Sequence, residues 1–261
     1  MERAKELRST TATMKPSLGA AATPALFESG GYVVLDREAL NKFYEEVSAR
    51  DGMSVTVFHA RLASLFADKR TTGDICDYRL GKKPWKKLRD EITPVSRFLQ
   101  FYEIEADRVR FPLNNNPPDC WLLNDIGNDC GIEVTIERGR EQHHLKRELN
   151  QTGIGRGFIG LQDDSSEADF ANRMSSRRFM FSSEQALEST KAGIIRCLCK
   201  KNDPKYANIK YLLIQAHLIT LPKERWSAIT RELSLVAKNL PFQKIYVIGN
   251  ADEHPCGFQI K

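Results

Sequence analysis

The chain has no CxxC pair, no run approaching about 20 apolar residues, no GxSxG or HExxH motif and no internal repeat, and each absence removes a class of protein. Six cysteines (Cys76, Cys120, Cys130, Cys197, Cys199 and Cys256) lack the paired spacing of zinc sites. Cys197 and Cys199 stand two apart on an expected helix and so point to different sides. His143 and His144 are adjacent and cannot both face one metal from a helix. The spacing therefore argues against a structural zinc site, and reduced thiols in a cytoplasm are the expectation. Without a long apolar run there is no candidate membrane span. A small-molecule hydrolase finds no nucleophile elbow, and a dehydrogenase finds no dinucleotide fingerprint.

Charge is not concentrated either. The 39 basic residues are spread along the chain, and the formal net charge is +5. That suits a phosphate-backbone partner, and it suits a mildly basic soluble surface equally well. Apolar residues at 41% and charged residues at 28% are ordinary for a globular protein of 261 residues. Residues 1–30 are rich in Ser, Thr, Ala, Gly and Pro without periodicity, so a disordered tail is expected there. Glu2, Glu6 and the lack of an apolar h-region weigh against a transit peptide.

Residues 31–84 read as a helical extension with a linker. DREALNKFYEEVS carries a capping Asp36 and apolar Leu40, Phe43 and Val47 at helical spacing, and SVTVFHARLASLFAD repeats the habit. TTGDICDYRLGKKPWKK reads as a connection. The body, residues 85–261, alternates helices and strands. Leu88, Ile92, Val95 and Leu99 form a helical stripe, in which Pro94 predicts a kink or a restart capped by Thr93. VRFPL, DCWLL and GIEVTIE are strand-like, and the NDIGND turn makes the last two a hairpin. A polar helix REQHHLKRELN, a glycine-rich TGIGRG and a long helix over 183–200 follow. Then come an apolar strand YLLIQAHLI, a helix in LPKERWSAITRELSLVAKNL and a strand KIYVIGN. Trp85, Trp121 and Trp226 lie in apolar patterns and are expected in the core. This alternation predicts a three-layer α/β/α fold with a central mixed sheet.

The hairpin holds the chemistry. A turn centred near Gly127 sets Asp119 opposite Thr135 and Glu133 diagonal to Asp119 on the same face. Glu133, flanked by Ile132 and Val134, is costly to bury unless it is paired or bound to a cation. Two converging carboxylates make an oxygen site suited to Mg²⁺, with Mn²⁺ able to substitute. The bland alternative is a hairpin acid paired with an arginine.

Pro118-Asp119, a gap and then Glu133-Val134-Thr135 resembles the signature of the PD-(D/E)XK nuclease superfamily, with Thr135 where a lysine is usual. The resemblance covers residues 85–261 and implies a restriction-endonuclease-like core hydrolysing phosphodiester bonds in nucleic acid, DNA before RNA. It implies Asp119, Glu133 and Glu91 as metal ligands, although Glu91 reads equally as a solvated helix residue. It also implies a lysine recruited from elsewhere. Lys191, interrupting the stripe of Leu187, Ile194, Ile195 and Leu198, fits that role or else snorkels to an edge. Thr135 remains available through its hydroxyl. Arg138, Arg140, Gln142, Lys146 and Arg156 are candidate nucleic-acid contacts, Gln142 and Lys146 reading also as a solvated face. Gly153, Gly155 and Gly157 surround Arg156 in what reads as a mobile loop. The N-terminal helices offer a surface for a homodimer or for target recognition. The competing reading is a nuclease fold that has lost catalysis, kept to bind nucleic acid or protein. The missing motif lysine is what sustains it.

Overall fold

Apolar residues that alternate between two faces build the middle layer. The computed structural model describes residues 37–67, 71–102, 104–125, 127–176, 180–250 and 256–261, all within one compact unit, Val33–Lys261. The expected tail over 1–30 and the Asp36 cap lie outside the described residues. The strands are β1 (Met53–Ser54), β2 (Arg108–Arg110), β3 (Cys120–Leu123), β4 (Cys130–Ile136), β5 (Tyr211–Ala216), β6 (Lys244–Gly249) and β7 (Gly257–Gln259). They form one mixed sheet whose spatial order follows the chain. β1 to β4 pair antiparallel, β4 to β6 run parallel, and β7 returns antiparallel.

Helices cover both faces, giving the expected three-layer α/β/α architecture. On one side lie α1 (Arg37–Ser48), α2 (Val55–Ala67), α4 (Trp85–Lys87) and α5 (Thr93–Phe101). Their Leu40, Phe58, Trp85 and Phe98 pack with Ile132, Val134, Leu213 and Tyr246 of the sheet. On the other side α8 (Ser183–Lys200) and α9 (Ser227–Ala237) pack Ile194, Leu198 and Leu233 against Leu212, Ile214, Ile245 and Val247. Leu212, Leu213 and Ile214 thus feed alternate cores, which is why β5 reads as a continuous apolar run. Burying each such side chain stabilises the fold by roughly 1.5–3 kcal/mol. The N-terminal extension is integral to the first core.

Three sequence expectations are corrected. The stretch read as a connection contains α3 (Thr72–Leu80), capped by Thr71 Oγ1 on the Asp74 amide and ended by Gly81 in the left-handed conformation. Trp121 is only half-buried, with Arg110 over its ring at 6.0 Å, whereas Trp85 and Trp226 are core residues. Thr93 does not cap a restart before Pro94, because its own backbone is helical, with φ -63° and ψ -44°. A π-turn, Leu88–Ile92, joins α4 to α5, and the Thr93 amide bonds the Leu88 carbonyl five residues back. The Thr93 hydroxyl donates to the same carbonyl at 2.7 Å. Proline has no amide to give its own turn, and the wider turn accommodates that loss.

The crossover from β4 to β5 holds α6 (Gly139–Thr152), α7 (Glu167–Ser175) and α8. A capping box of Ser182 and Gln185 starts α8. Gly193 lets α8 approach β4, because a Cβ there would overlap the buried Glu137 carboxylate. Gly193→Ala should therefore lower the urea midpoint by the equivalent of about 1–3 kcal/mol, despite the roughly 1 kcal/mol gain in helix propensity. An unchanged or raised midpoint would show that Glu137 can move aside.

Candidate functional site

The β3–β4 register sets the geometry of the acidic centre. Cys120 pairs with Ile132, so one residue further back Asp119 stands directly opposite Glu133. The expected pairing of Asp119 with Thr135 is corrected, and the two residues stand directly across from each other instead of diagonally. In register with Leu212 on β5, Glu133 faces α8 and α9. Asp119 Oδ2 accepts from the Val134 amide at 2.9 Å. Burial raises the Asp119 carboxyl above its ordinary range, against that hydrogen bond and the charges of Lys201 and Lys87.

Glu91 reaches the same centre from the π-turn. Its carboxyl is pushed up to about 7, by burial first and the Asp119 charge second. Glu133 is raised likewise, by burial and then by Asp119. Glu91, Asp119 and Glu133 are therefore one electrostatic unit, drawn from a helix, a strand end and a central strand. The solvated-helix reading of Glu91 does not hold, since its side chain is 15% exposed and Oε1 accepts from Lys87 Nζ at 2.6 Å.

The lysine beside Glu133 is Lys201, not Lys191. Lys201 Nζ donates to Glu133 Oε1 at 2.5 Å and to the Tyr206 hydroxyl at 3.3 Å. Lys191 pairs instead with Glu188 and with Glu232 of α9 at 2.7 Å. Ten residues further along, at about 1.5 Å each, put Lys201 roughly 15 Å from Lys191 on the helix. α8 runs back to the start of β5, so its C-terminal end, not its middle, lies beside Glu133. Reading α8 as a crossover that ends at the base of β4 and β5 would have pointed to Lys201; the apolar stripe pointed elsewhere.

A divalent cation would need these carboxylates to converge on one point. Among the described residues no group of three or more His, Cys, Asp or Glu side chains does so. Glu133 Oε1 and Glu91 Oε1 already hold lysines, and Asp119 Oδ2 holds a backbone amide. Glu91 Oε2 and Glu133 Oε2 are buried without a hydrogen-bond partner. As arranged, one oxygen of each acid is held by a lysine or a backbone amide.

The remaining predicted residues fall apart spatially. Thr135 lies against the Cys197 thiol on α8. Arg138 is buried, with a left-handed φ of 48°. Its guanidinium binds Glu137, Glu141 at 3.3 Å, Ser189 and Thr190, and it is stacked 4.5 Å from Phe158. It is a core ion pair rather than a surface phosphate contact, and burial pushes Glu137 up to about 7. Arg140 ties α6 to the following loop through the carbonyls of Asp163 and Ser165 and through Glu167. Arg156 staples Glu148 to the carbonyls of Arg173, Met174 and Ser176, so the glycine-rich segment is anchored there. Gln142 is half-buried on α6, and so is Lys146, whose amine is held down at about 8 by burial and by the charge of Arg89. No helix among the described residues is long and apolar enough to cross a membrane.

The layers and the mixed sheet are consistent with a nuclease-like fold, and an acidic cluster lies at the hairpin. Compared with models of known protein families, with curated proteins and with solved structures, the chain matches none.

Two outcomes follow from the paired carboxylates. Lys201→Ala leaves Glu133 buried without its ammonium partner and should cost about 3 kcal/mol in urea unfolding, largely recovered by adding Glu133→Gln. Equal stability of Lys201→Ala and wild type would show that the pair contributes nothing. The Glu91 carboxyl binds its proton more tightly in the folded chain than at its ordinary 4.5. Its contribution is full below about pH 4.5 and is lost as pH rises through about 7. Glu91→Gln should thus gain on wild type by about 1–2 kcal/mol between pH 5 and pH 8. A difference independent of pH in that window would contradict the raised value.

Proposed function

We propose that the chain is a nuclease-fold module that binds nucleic acid without hydrolysing it, its acidic centre closed by lysine side chains. One observation carries this reading: lysine ammonium groups sit on two of the three carboxylates, Lys201 on Glu133 at 2.5 Å and Lys87 on Glu91 at 2.6 Å. A cation at this centre would first have to displace them. The failure of the carboxylates to converge supports the same conclusion. The partner is proposed from the hairpin signature and the basic balance of the chain, and DNA precedes RNA on the family resemblance alone.

A second reading, Mg²⁺- or Mn²⁺-dependent hydrolysis of phosphodiester bonds, has a specific observation in its favour. Glu91 Oε2 and Glu133 Oε2 are buried and unpartnered, and a bound cation is one way to satisfy both. Lys201 would then occupy the place of the missing motif lysine.

Labelled DNA and RNA incubated with the chain and either metal ion separate the two. The expected result is intact nucleic acid, retained in a salt-sensitive manner, with no heat of metal binding in calorimetry. Metal-dependent cleavage that disappears in Glu133→Ala would overturn the proposal in favour of hydrolysis. Failure to retain either nucleic acid would overturn the binding module.

A further inference from the structure

We infer that a phosphate group binds over the carboxyl ends of β4 and β5, seated on Lys146 and flanked by Arg89 and Arg97. The inference deepens the nucleic-acid reading and rests on it for the source of the phosphate.

Four elements bring the cations together. Lys146 lies on α6, which leaves the end of β4. One turn on, and on the same helix face, Asn150 Oδ1 accepts from Arg79 at 3.2 Å. The Arg79 carbonyl in turn accepts from Arg89 at 2.7 Å. Arg79 of α3 and Arg89 of the π-turn are thereby fixed along the Lys146 face. From the far side, Arg97 of α5 reaches Gln215 Oε1 near the end of β5 at 3.5 Å. His217, just past that strand, bonds Asn250 at the end of β6 and feels the charge of Lys146.

The charges are unbalanced. The charges acting most on Lys146 are those of Arg89, Asp90, Arg97 and Arg79, three of them positive. Asp90 is already committed to Arg89, at 2.5 and 3.0 Å. Among the described residues Lys146 Nζ has no hydrogen-bond or ion-pair acceptor. The half-buried Lys146 ammonium is repelled by these guanidinium groups, and burial with that repulsion lowers its amine to about 8. An anion relieves both costs. Guanidinium groups beside an ammonium favour a phosphate, which takes a forked donor and a point charge together.

The test uses the full chain with a labelled oligonucleotide, followed by anisotropy between about 50 and 200 mM salt, and separately with inorganic phosphate by calorimetry. Lys146→Gln should weaken oligonucleotide binding by about tenfold at the low-salt end and reduce the salt slope by about one. Lys146→Arg should keep both near wild type. Lys146→Gln should also melt no lower than wild type, since a repelled charge is gone; a lower midpoint would count against the site. If wild type and Lys146→Gln bind the oligonucleotide with equal affinity and slope, the Lys146 site is overturned while the nucleic-acid reading stands. If wild type takes up inorganic phosphate through Lys146 but no oligonucleotide, the site stands and the nucleic-acid reading falls. Binding of neither overturns both.

Discussion

A carboxylate in the middle of a buried strand must be neutralised, and much of the surrounding arrangement follows from that demand at Glu133. Ile132 and Val134 on either side commit β4 to the core, so Glu133 cannot turn to solvent without turning the strand over. Its partner has to be brought to it. The eighteen residues of α8 carry the chain back along the sheet and deliver Lys201 at the helix end, with the Tyr206 hydroxyl beside the ammonium. On the other side, Asp119 gives a carboxylate oxygen to the Val134 amide just where β3 begins. The amide is satisfied by a side chain in place of a strand carbonyl, and a second acid is thereby drawn next to the first.

The π-turn connects this centre to the basic crevice. Within five residues it presents Glu91 toward Asp119 and sets Arg89 and Asp90 beside Lys146. A regular helix with an interior proline would leave a carbonyl without its donor, and the widened turn stands immediately before Pro94. Deeper in, Glu137, Arg138 and Glu141 form a second ionic cluster against α8. Arg138 accepts a left-handed backbone to enter it, at a conformational cost of about 1–3 kcal/mol. Two charged clusters thus border β4, one at Glu133 and one just past its end, and the close approach of Gly193 fits the second.

The elements with strong periodicity were legible in the sequence: the hairpin, the long α8, and the apolar β5 and β6. The anomaly of Glu133 was legible too, because a carboxylate in an apolar frame stands out wherever it occurs, whereas Glu91 read equally as a solvated helix residue. What escaped had weak local signals. β1 and β7 are two and three residues long and exist only through pairing, and α7 is a short polar helix announced by little more than its Ser166 cap. Lys201 was missed because a helix face identifies which residues meet the sheet, whereas the position along the axis identifies which strand residue they meet. Arg138 was misread for a related reason. A sequence shows an arginine after a strand, but the sign of φ decides whether its side chain turns outward or into the core.

The charges at the acidic centre can be balanced without a metal. Three carboxylates face two ammonium groups, and those two positive charges equal what one divalent ion would bring. The remaining charge is partly removed by Glu91, whose carboxyl holds a proton up to about pH 7. A lysine differs from a metal ion in what it leaves behind. It bonds one oxygen of each acid at Glu133 and Glu91 and leaves the other without a partner, so the neutralisation is electrostatic but the hydrogen bonding is incomplete. It also offers no bound water to activate. With the lysines in place, the centre is neutralised through one oxygen each of Glu133 and Glu91, and the hairpin keeps its fold around them. Under the binding proposal, recognition falls to the crevice at the opposite ends of the parallel strands, where the Lys146 ammonium has no acceptor among the described residues.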